Sequence, residues 1–488
     1  MSSLEEIRKV RLEKLKRLRT GGLEPYPLSS KRSMSCLEAL LRFEELSKSG
    51  EVLTLAGRVT ALRDQGGVFF VDIDDGEKDI QVMLRKSDLG EENFALWQEG
   101  ADIGDQAEFA GKLALTKKGE KTLTALTWRM LAKGLRPLPE KRSGLKDPEE
   151  RYRRRYLDLL SQKESKERFL TRSRIVSLLR GYLEKEGFVE VETSILQNVP
   201  GGASAEPFKT AHKALGIDLY LRIAPELDLK KTIIGGLPKV FEIGRSFRNE
   251  GIDVTHNPEF TTLEWYRAWS DAARERAAVE KLFKWLVRKL APGAKIPYEK
   301  ETIDFSRKFN VVSYQELLER YALLPNPFSA PAAEVELKAR QLGVAAGAGE
   351  VPFKILENIF KRICRPKLVQ PTFVVDWPAE MLPLAKRKEG GKMADAFQLI
   401  AGGLELVKAF SEQNDPLEQR ERFDLEEKLR SGGDPEAQRS DEEFLEALEY
   451  GMPPTGGVGI GIDRLVMLMT NQHNIREVIL FPTLRPKK

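Results

Sequence analysis

The polar stretch FRNEGIDVTHNPEF, Phe247–Phe260, gathers an arginine, an acid, an imidazole and an aromatic ring in one short loop. It lies between KVFEIGRSF and EFTTLEWYRAW, whose apolar content predicts strands, so Arg248, Glu250 and His256 fall in one hairpin. Such a hairpin offers a cation for phosphate or carboxylate, an acid, and in Phe260 a ring on which a base can stack. An ordinary charged surface hairpin is the bland alternative. A second cluster is GIGIDRLVMLMT, Gly459–Thr470, where small residues let a strand and a helix approach closely. Arg464 then opens the helix, against the positive end of its dipole. A cation in so poor a position suggests an anionic ligand, with a local Asp463–Arg464 pair as the alternative. The third cluster is the hairpin AFQLIAGGLEL. With its turn centred on Ala401–Gly402, Gln398 lies directly opposite Glu405 on one sheet face. Paired oxygens there suit a hard cation such as Mg²⁺ escorting nucleotide phosphates, and equally a simple Gln–Glu hydrogen bond.

These clusters need a scaffold, and the pattern around them supplies one. From Glu167 onward helices and strands mix. RFLTRSRIVSLLRGYLEKEGF predicts an amphipathic helix stopped at Gly187, and DLYLRIAPELDLKKTIIGG predicts a strand running into a helix. Helical material fills Asp271–Leu290 and much of Tyr314–Pro366, and the chain ends in two strands and a strand-to-helix turn. An antiparallel sheet flanked by helices is expected for this half, in an α+β fold. Upstream, from about Val52 to Leu135, five short segments rich in β-branched or aromatic residues are broken by Gly, Asp and Lys pairs. They suit a small closed barrel of the OB type, a shape that often binds oligonucleotides. The expected domains are 1–142 (basic helix and barrel), a charged linker at 143–160, and 161–488 with a helical insertion around 271–366.

At 488 residues the chain exceeds a single core, and 32% charged residues with 41% hydrophobic ones is an ordinary globular balance. No apolar run approaches the roughly 20 residues of a membrane span. The opening MSSLEEIRKV lacks a secretory core, and Cys36 and Cys364 are too few for a disulfide framework, so a cytoplasmic enzyme is expected. Net charge is 79 − 75 = +4. Residues 1–20 carry seven bases against three acids, so this amphipathic helix accounts for the whole excess. An RNA-phosphate contact and simple packing on a neighbour are equally open for it.

Taken together, PGGASAEPF, RIAPELDLK, FRNEGIDVTHNPEF, FSEQND and GIGIDR are long, ordered and correctly spaced. They resemble the motifs of class II aminoacyl-tRNA synthetases, and most of all the lysyl-tRNA synthetase family, over nearly the whole chain. The resemblance implies an antiparallel-sheet active site, a homodimer, and lysine, ATP and tRNA(Lys) as substrates, with Mg²⁺ on the phosphates and neither DNA nor membrane as partner. It implies that Arg248 bridges the substrate carboxylate and the α-phosphate, that Glu250, His256 and Phe260 hold ATP, that Arg464 meets the γ-phosphate, and that Glu405 with Gln398 faces the metal. For the amino acid it implies Gly202 and Glu226 at the α-amino group, and Glu412 at the side-chain ammonium, helped by Glu264, Tyr266 and Phe410. In the barrel it implies that Phe70 and Arg63 stack on and contact the anticodon, with Gln81 and Glu120 reading base edges.

Four positions leave the family pattern. Gln398 stands where a second Glu is usual, Lys408 where an Asn contacts the ligand, Glu206 where an Arg follows GGASA, and Ser194 where the first motif has Pro. These departures leave room for a paralogue with altered amino-acid or acceptor choice, or for a non-catalytic relative. The barrel argues for tRNA as acceptor, and Glu264 and Glu412 argue against an acidic amino acid.

Overall fold

The computed structural model describes residues 3–139, 144–345, 350–432 and 437–487. The chain divides into two compact units, 1–146 with 156–161, and 147–155 with 162–488. The expected boundary at 142/143 lies outside the described residues. The segment expected as a linker, helical by pattern, does form helices, at Pro148–Arg153 and Arg155–Ser161. Tyr152 is buried and donates to Glu477 at 3.1 Å, and Arg151 pairs with the same carboxylate, so 147–155 belongs to the second unit.

In the first unit β1 (Leu53–Asp64), β2 (Val68–Asp74), β3 (Asp79–Arg85), β4 (Gln106–Leu115) and β5 (Lys121–Ala132) close into a barrel in the order β1-β2-β3-β5-β4. Alternation explains its core: Leu55, Val59, Val71, Ile73, Val82, Leu84, Phe109 and Leu123 all point inward and are buried. The N-terminal helix, Leu4–Thr20, begins at a Ser3/Glu6 capping box. Two of its seven bases are spent on packing. Arg11 donates to the carbonyls of Ile103, Gly134 and Arg136, and Lys14 pairs with Asp102 at 2.7 Å.

The second unit is built on eight strands in the order β14-β15-β16-β17-β18-β11-β10-β6. In chain order these are β6 (Val189–Glu190), β10 (Lys239–Phe247), β11 (Glu259–Ala268), β14 (Asn310–Ser313), β15 (Thr372–Pro378), β16 (Met393–Ala401), β17 (Leu404–Ser411) and β18 (Thr455–Gly461). The six central strands are antiparallel, and the edge strands β6 and β14 pair in parallel. A small separate sheet orders β7 (Leu196–Gln197), β9 (Ile217–Leu221) and β8 (Lys209–His212). Within 271–366, helices at both ends flank three short strands, so that stretch is not wholly helical: the hairpin β12 (Lys295–Tyr298)/β13 (Glu301–Asp304), and β14.

One face of the large sheet is sealed. Leu263, Trp265, Val407, Val458 and Ile460 pack there against the helix Ala272–Leu290, through Val279, Phe283 and Leu286. Period-two alternation sends the intervening residues to the opposite face, where all three sequence clusters meet.

Candidate active site

Register defines the working face. One row runs Gln398, Lys408, Gly459, Glu264, Glu242 across β16, β17, β18, β11 and β10; the next runs Ala396, Phe410, Gly457, Tyr266. Glycines on β18 therefore form a bare floor between flanking functional side chains. At Gly457 the floor is obligatory: a Cβ would stand 1.9 Å from Glu412 Oε1 and 2.6 Å from Tyr266 Cε1.

At one end of the floor lies a pocket of buried acids. Glu226 opens the helix Glu226–Ile234, and Glu412 extends from the end of β17. Between them stands Lys230, fully buried, with its ammonium 2.6 Å from Glu226 Oε1, in ion-pair contact with Glu412 Oε2 and over the Phe410 ring. Neither Glu412 oxygen accepts a well-directed hydrogen bond. Tyr266 donates its hydroxyl to Glu264 at 3.2 Å. Burial, aided by the Glu226 charge, pushes the Glu264 carboxyl up to about 8. Burial likewise raises Glu412; Lys230 opposes this, and Glu226 and Glu264 add to it. Burial acts against the Lys230 charge, but Glu226 and Glu412 outweigh it and hold the ammonium protonated. Gly202 closes this end at φ +87°, where a Cβ would come 3.0 Å from that of Glu226.

The other end is cationic. The Arg248 guanidinium lies 5.1 Å from the Phe260 ring centroid, with its Nε buried and unpartnered. Glu250 acts on Arg248 through its charge. Arg464 Nη2 donates to His256 Nε2 at 3.0 Å, which leaves the His256 Nδ1–H for Asp253 at 2.8 Å. Arg464 also faces Glu405, at 3.6 Å. The local Asp463–Arg464 pair does not form: Asp463 accepts from Arg172 at 2.6 Å and from the Thr261 backbone at 2.7 Å, pinning the helix start to β11.

The Gln398–Glu405 hairpin differs from the expectation. Its turn is Gly402–Gly403, both at positive φ, so Ala401 pairs with Leu404 and Ile400 with Glu405. Two glycines accept the left-handed turn conformations that Ala401 resists. A bulge at Leu406 then shifts the register, and Gln398 pairs with Lys408, not with Glu405. The bulge returns Glu405 to the face that Gln398 and Lys408 share. Burial weighs against the Glu405 charge, but Arg464, Lys408, Arg365 and Lys361 overcome it and hold its carboxyl below the usual range.

On the barrel, Arg63 and Phe70 are direct cross-strand partners, and Asp72 pairs with Gln81 across β2 and β3. Arg63 makes a two-pronged pair with Asp72 at 2.7 and 2.8 Å. Gln81 donates to Glu120 at 2.9 Å and accepts from Thr122 at 3.0 Å. Phe70 points away from the barrel core, unlike its buried neighbour Phe69. All four predicted barrel residues therefore come together on one outer face.

Residues 147–485 match the family model described as tRNA synthetases class II (D, K and N), and residues 53–131 match an OB-fold nucleic acid binding domain. The chain belongs to the class II tRNA synthetases. It is 45% identical to the lysine–tRNA ligase of Syntrophomonas wolfei, over 99% of this chain and 98% of that one. To those of Moorella thermoacetica and Carboxydothermus hydrogenoformans it is 44% identical, over 98% and 99% of both chains respectively. Among its described residues no helix is long and apolar enough to cross a membrane.

Two parts of this synthetase's site escaped the sequence reading. Lys230 was available in RIAPELDLKK as a basic residue four positions after Glu226, the spacing that stacks two side chains on one helix face. Gly457 had no local signal, because what it makes room for, Glu412 and Tyr266, comes from other strands.

Proposed function

We propose that this synthetase is a lysine–tRNA ligase: it activates L-lysine with ATP and passes the lysyl group to the 3′ end of tRNA(Lys). One observation carries the reading. Three buried carboxylates, Glu226, Glu264 and Glu412, share a pocket with one resident ammonium, Lys230. Two negative charges remain when all three acids are ionised, matching the two ammonium groups of lysine. A neutral amino acid would leave a buried carboxylate unpaired, at a cost on the order of 3–5 kcal/mol.

In the first step a lysine carboxylate oxygen attacks the α-phosphorus in line, the bond to the bridging oxygen breaks, and pyrophosphate leaves. In the second a ribose hydroxyl of the tRNA attacks the acyl carbon and AMP leaves. No protein nucleophile is needed, so catalysis is orientation and charge neutralisation. Arg248 would span the lysine carboxylate and the α-phosphate, and its free Nε supports that role. Phe260 would stack the adenine, with Glu250 and His256 beside the nucleotide, and Arg464 would take the γ-phosphate. Gly202 and Glu226 would receive the α-amino group; Glu412, with Glu264, Tyr266 and Phe410, the side-chain ammonium. Glu405, kept ionised by its cations, fits a Mg²⁺ held chiefly by the phosphates, since such ions need only one or two carboxylates. When bound, that ion offsets phosphate charge.

On the barrel Phe70 would stack an anticodon base, Arg63 would contact it, and Gln81 and Glu120 would read edges. A homodimer is supported by exposed apolar residues Val189, Ile195, Leu196 and Ile217 around the first motif and the small sheet. As a tRNA-charging enzyme it would act in the cytoplasm. ATP–pyrophosphate exchange with each of the twenty amino acids tests the proposal. Lysine should stand alone; exchange with another amino acid but not lysine overturns it.

A further inference from the structure

The geometry points to Lys408 as a fixed cation for the anionic junction of the two bound substrates, lowering the dependence of ATP binding on divalent metal. The inference rests on the reading of this face as the ATP and lysine site.

Lys408 stands in the same cross-sheet row as Glu264, with only Gly459 between them. A Cβ on Gly459 would meet only the Lys408 carbonyl at 3.6 Å and Glu264 Cγ at 3.8 Å. Strand spacing of roughly 4.8 Å puts about 10 Å between the Lys408 and Glu264 backbones, a gap that a lysine side chain bridges in part. Lys408 is exposed, and the described structure gives it neither a hydrogen bond nor an ion pair; it acts on Glu405 only through its charge. An unpaired ammonium on the working face, beside a bare glycine floor, is poised for an incoming anion.

Its cross-strand partner strengthens the case. Gln398 is buried, and its Oε1 lacks a partner. It is neutral, so Glu405 is left as the only carboxylate near the turn of this hairpin on its working face, and among the described residues no group of three His, Cys, Asp or Glu could hold a metal. Arg464, Lys408, Arg365 and Lys361 all act on Glu405. An end so rich in cations and poor in acids is built to meet a polyanion directly, where a carboxylate pair would need an ion as intermediary.

The test is ATP binding by calorimetry, in EDTA and in saturating Mg²⁺, with the full-length chain and the variants K408N, K408R and Q398E/K408N. The unmodified chain should bind ATP in EDTA. K408N should weaken that binding about ten- to a hundredfold, K408R should restore most of it, and with Mg²⁺ the three should differ far less. Q398E/K408N should bind measurably only with Mg²⁺. Thermal melting of each variant checks folding, and the exposed position of Lys408 predicts little change. The inference is overturned if the unmodified chain binds no ATP in EDTA, or if K408N binds as tightly as its parent there. Failure of the lysine assignment shows separately, as exchange with a different amino acid while these ATP measurements stand.

Discussion

Barrel and catalytic unit each present a sheet face that sequence similarity marks as functional, yet the two faces handle polar groups in opposite ways. On the barrel the polar groups satisfy one another: Arg63 with Asp72, and Gln81 with Glu120 and Thr122. On the catalytic sheet several are buried without a hydrogen-bond partner, among them Glu412 Oε1, Gln398 Oε1 and Arg248 Nε, while Glu412 Oε2 meets only the Lys230 ammonium. A base must therefore trade an existing hydrogen bond on the barrel, at small net gain, and stacking on Phe70 carries much of the affinity. Under the proposed function lysine and ATP would instead complete bonds that the folded chain leaves open, so each contact would count for more.

This contrast orders the expected effects. Glu412→Gln should lower lysine-dependent exchange by about a hundredfold or more while sparing ATP binding, because it removes a buried charge that the ammonium needs. Unchanged lysine kinetics would remove Glu412 from the pocket. Next, Lys230→Met leaves Glu226 and Glu412 uncompensated and should cost about 3–5 kcal/mol in denaturant unfolding near pH 7. That loss should shrink as pH falls and the acids take up protons; a pH-independent loss would mean that packing, not charge, is what Lys230 supplies.

Phe70→Ala should raise the KM for tRNA by an amount equivalent to about 1–3 kcal/mol and leave lysine–ATP exchange untouched. A change in exchange would break the division of labour between the two faces. Glu264 predicts a pH effect of similar or smaller size. Its carboxyl titrates at about 8, so lysine affinity should rise with pH up to about 8, by up to about tenfold per unit, and level off above it. Glu264→Gln should flatten the profile. The same group makes the fold less stable as pH rises from about 4.5 to about 8, because the native carboxyl keeps a proton that the unfolded chain has released. Smallest of all, Asp72→Asn should change barrel stability by under about 1 kcal/mol, since the pair it breaks is partly exposed. Any effect on tRNA affinity would show how tightly Asp72 holds Arg63 in reserve.

Much of this was legible beforehand because it rests on local periodicity. The five barrel strands, the helix stopped at Gly187, and the strands on either side of the Arg248 hairpin follow from alternation and turn residues that the chain displays in order. The misreadings arose where one residue's conformation governs many partners. Placing the turn at Ala401–Gly402 put Gln398 opposite Glu405, whereas the Gly402–Gly403 turn and the Leu406 bulge pair it with Lys408. The local Asp463–Arg464 pair, open in sequence as the alternative to an anionic ligand, is closed by helix geometry, which sends the two side chains to different neighbours, Arg172 and Glu405.

The sequence by itself determined the elements, the glycines their turns demand, and the inventory of cations and acids, since each of these depends on residues close along the chain. Only the tertiary structure decided which charges meet. Lys230 bridges Glu226 and Glu412 because a helix and a distant strand pack side by side. Lys408 shares a row with Glu264 because β18 lies between β17 and β11. Burial, which lifts Glu264, belongs to no single segment and exists only once the sheet and its covering helices have closed around it.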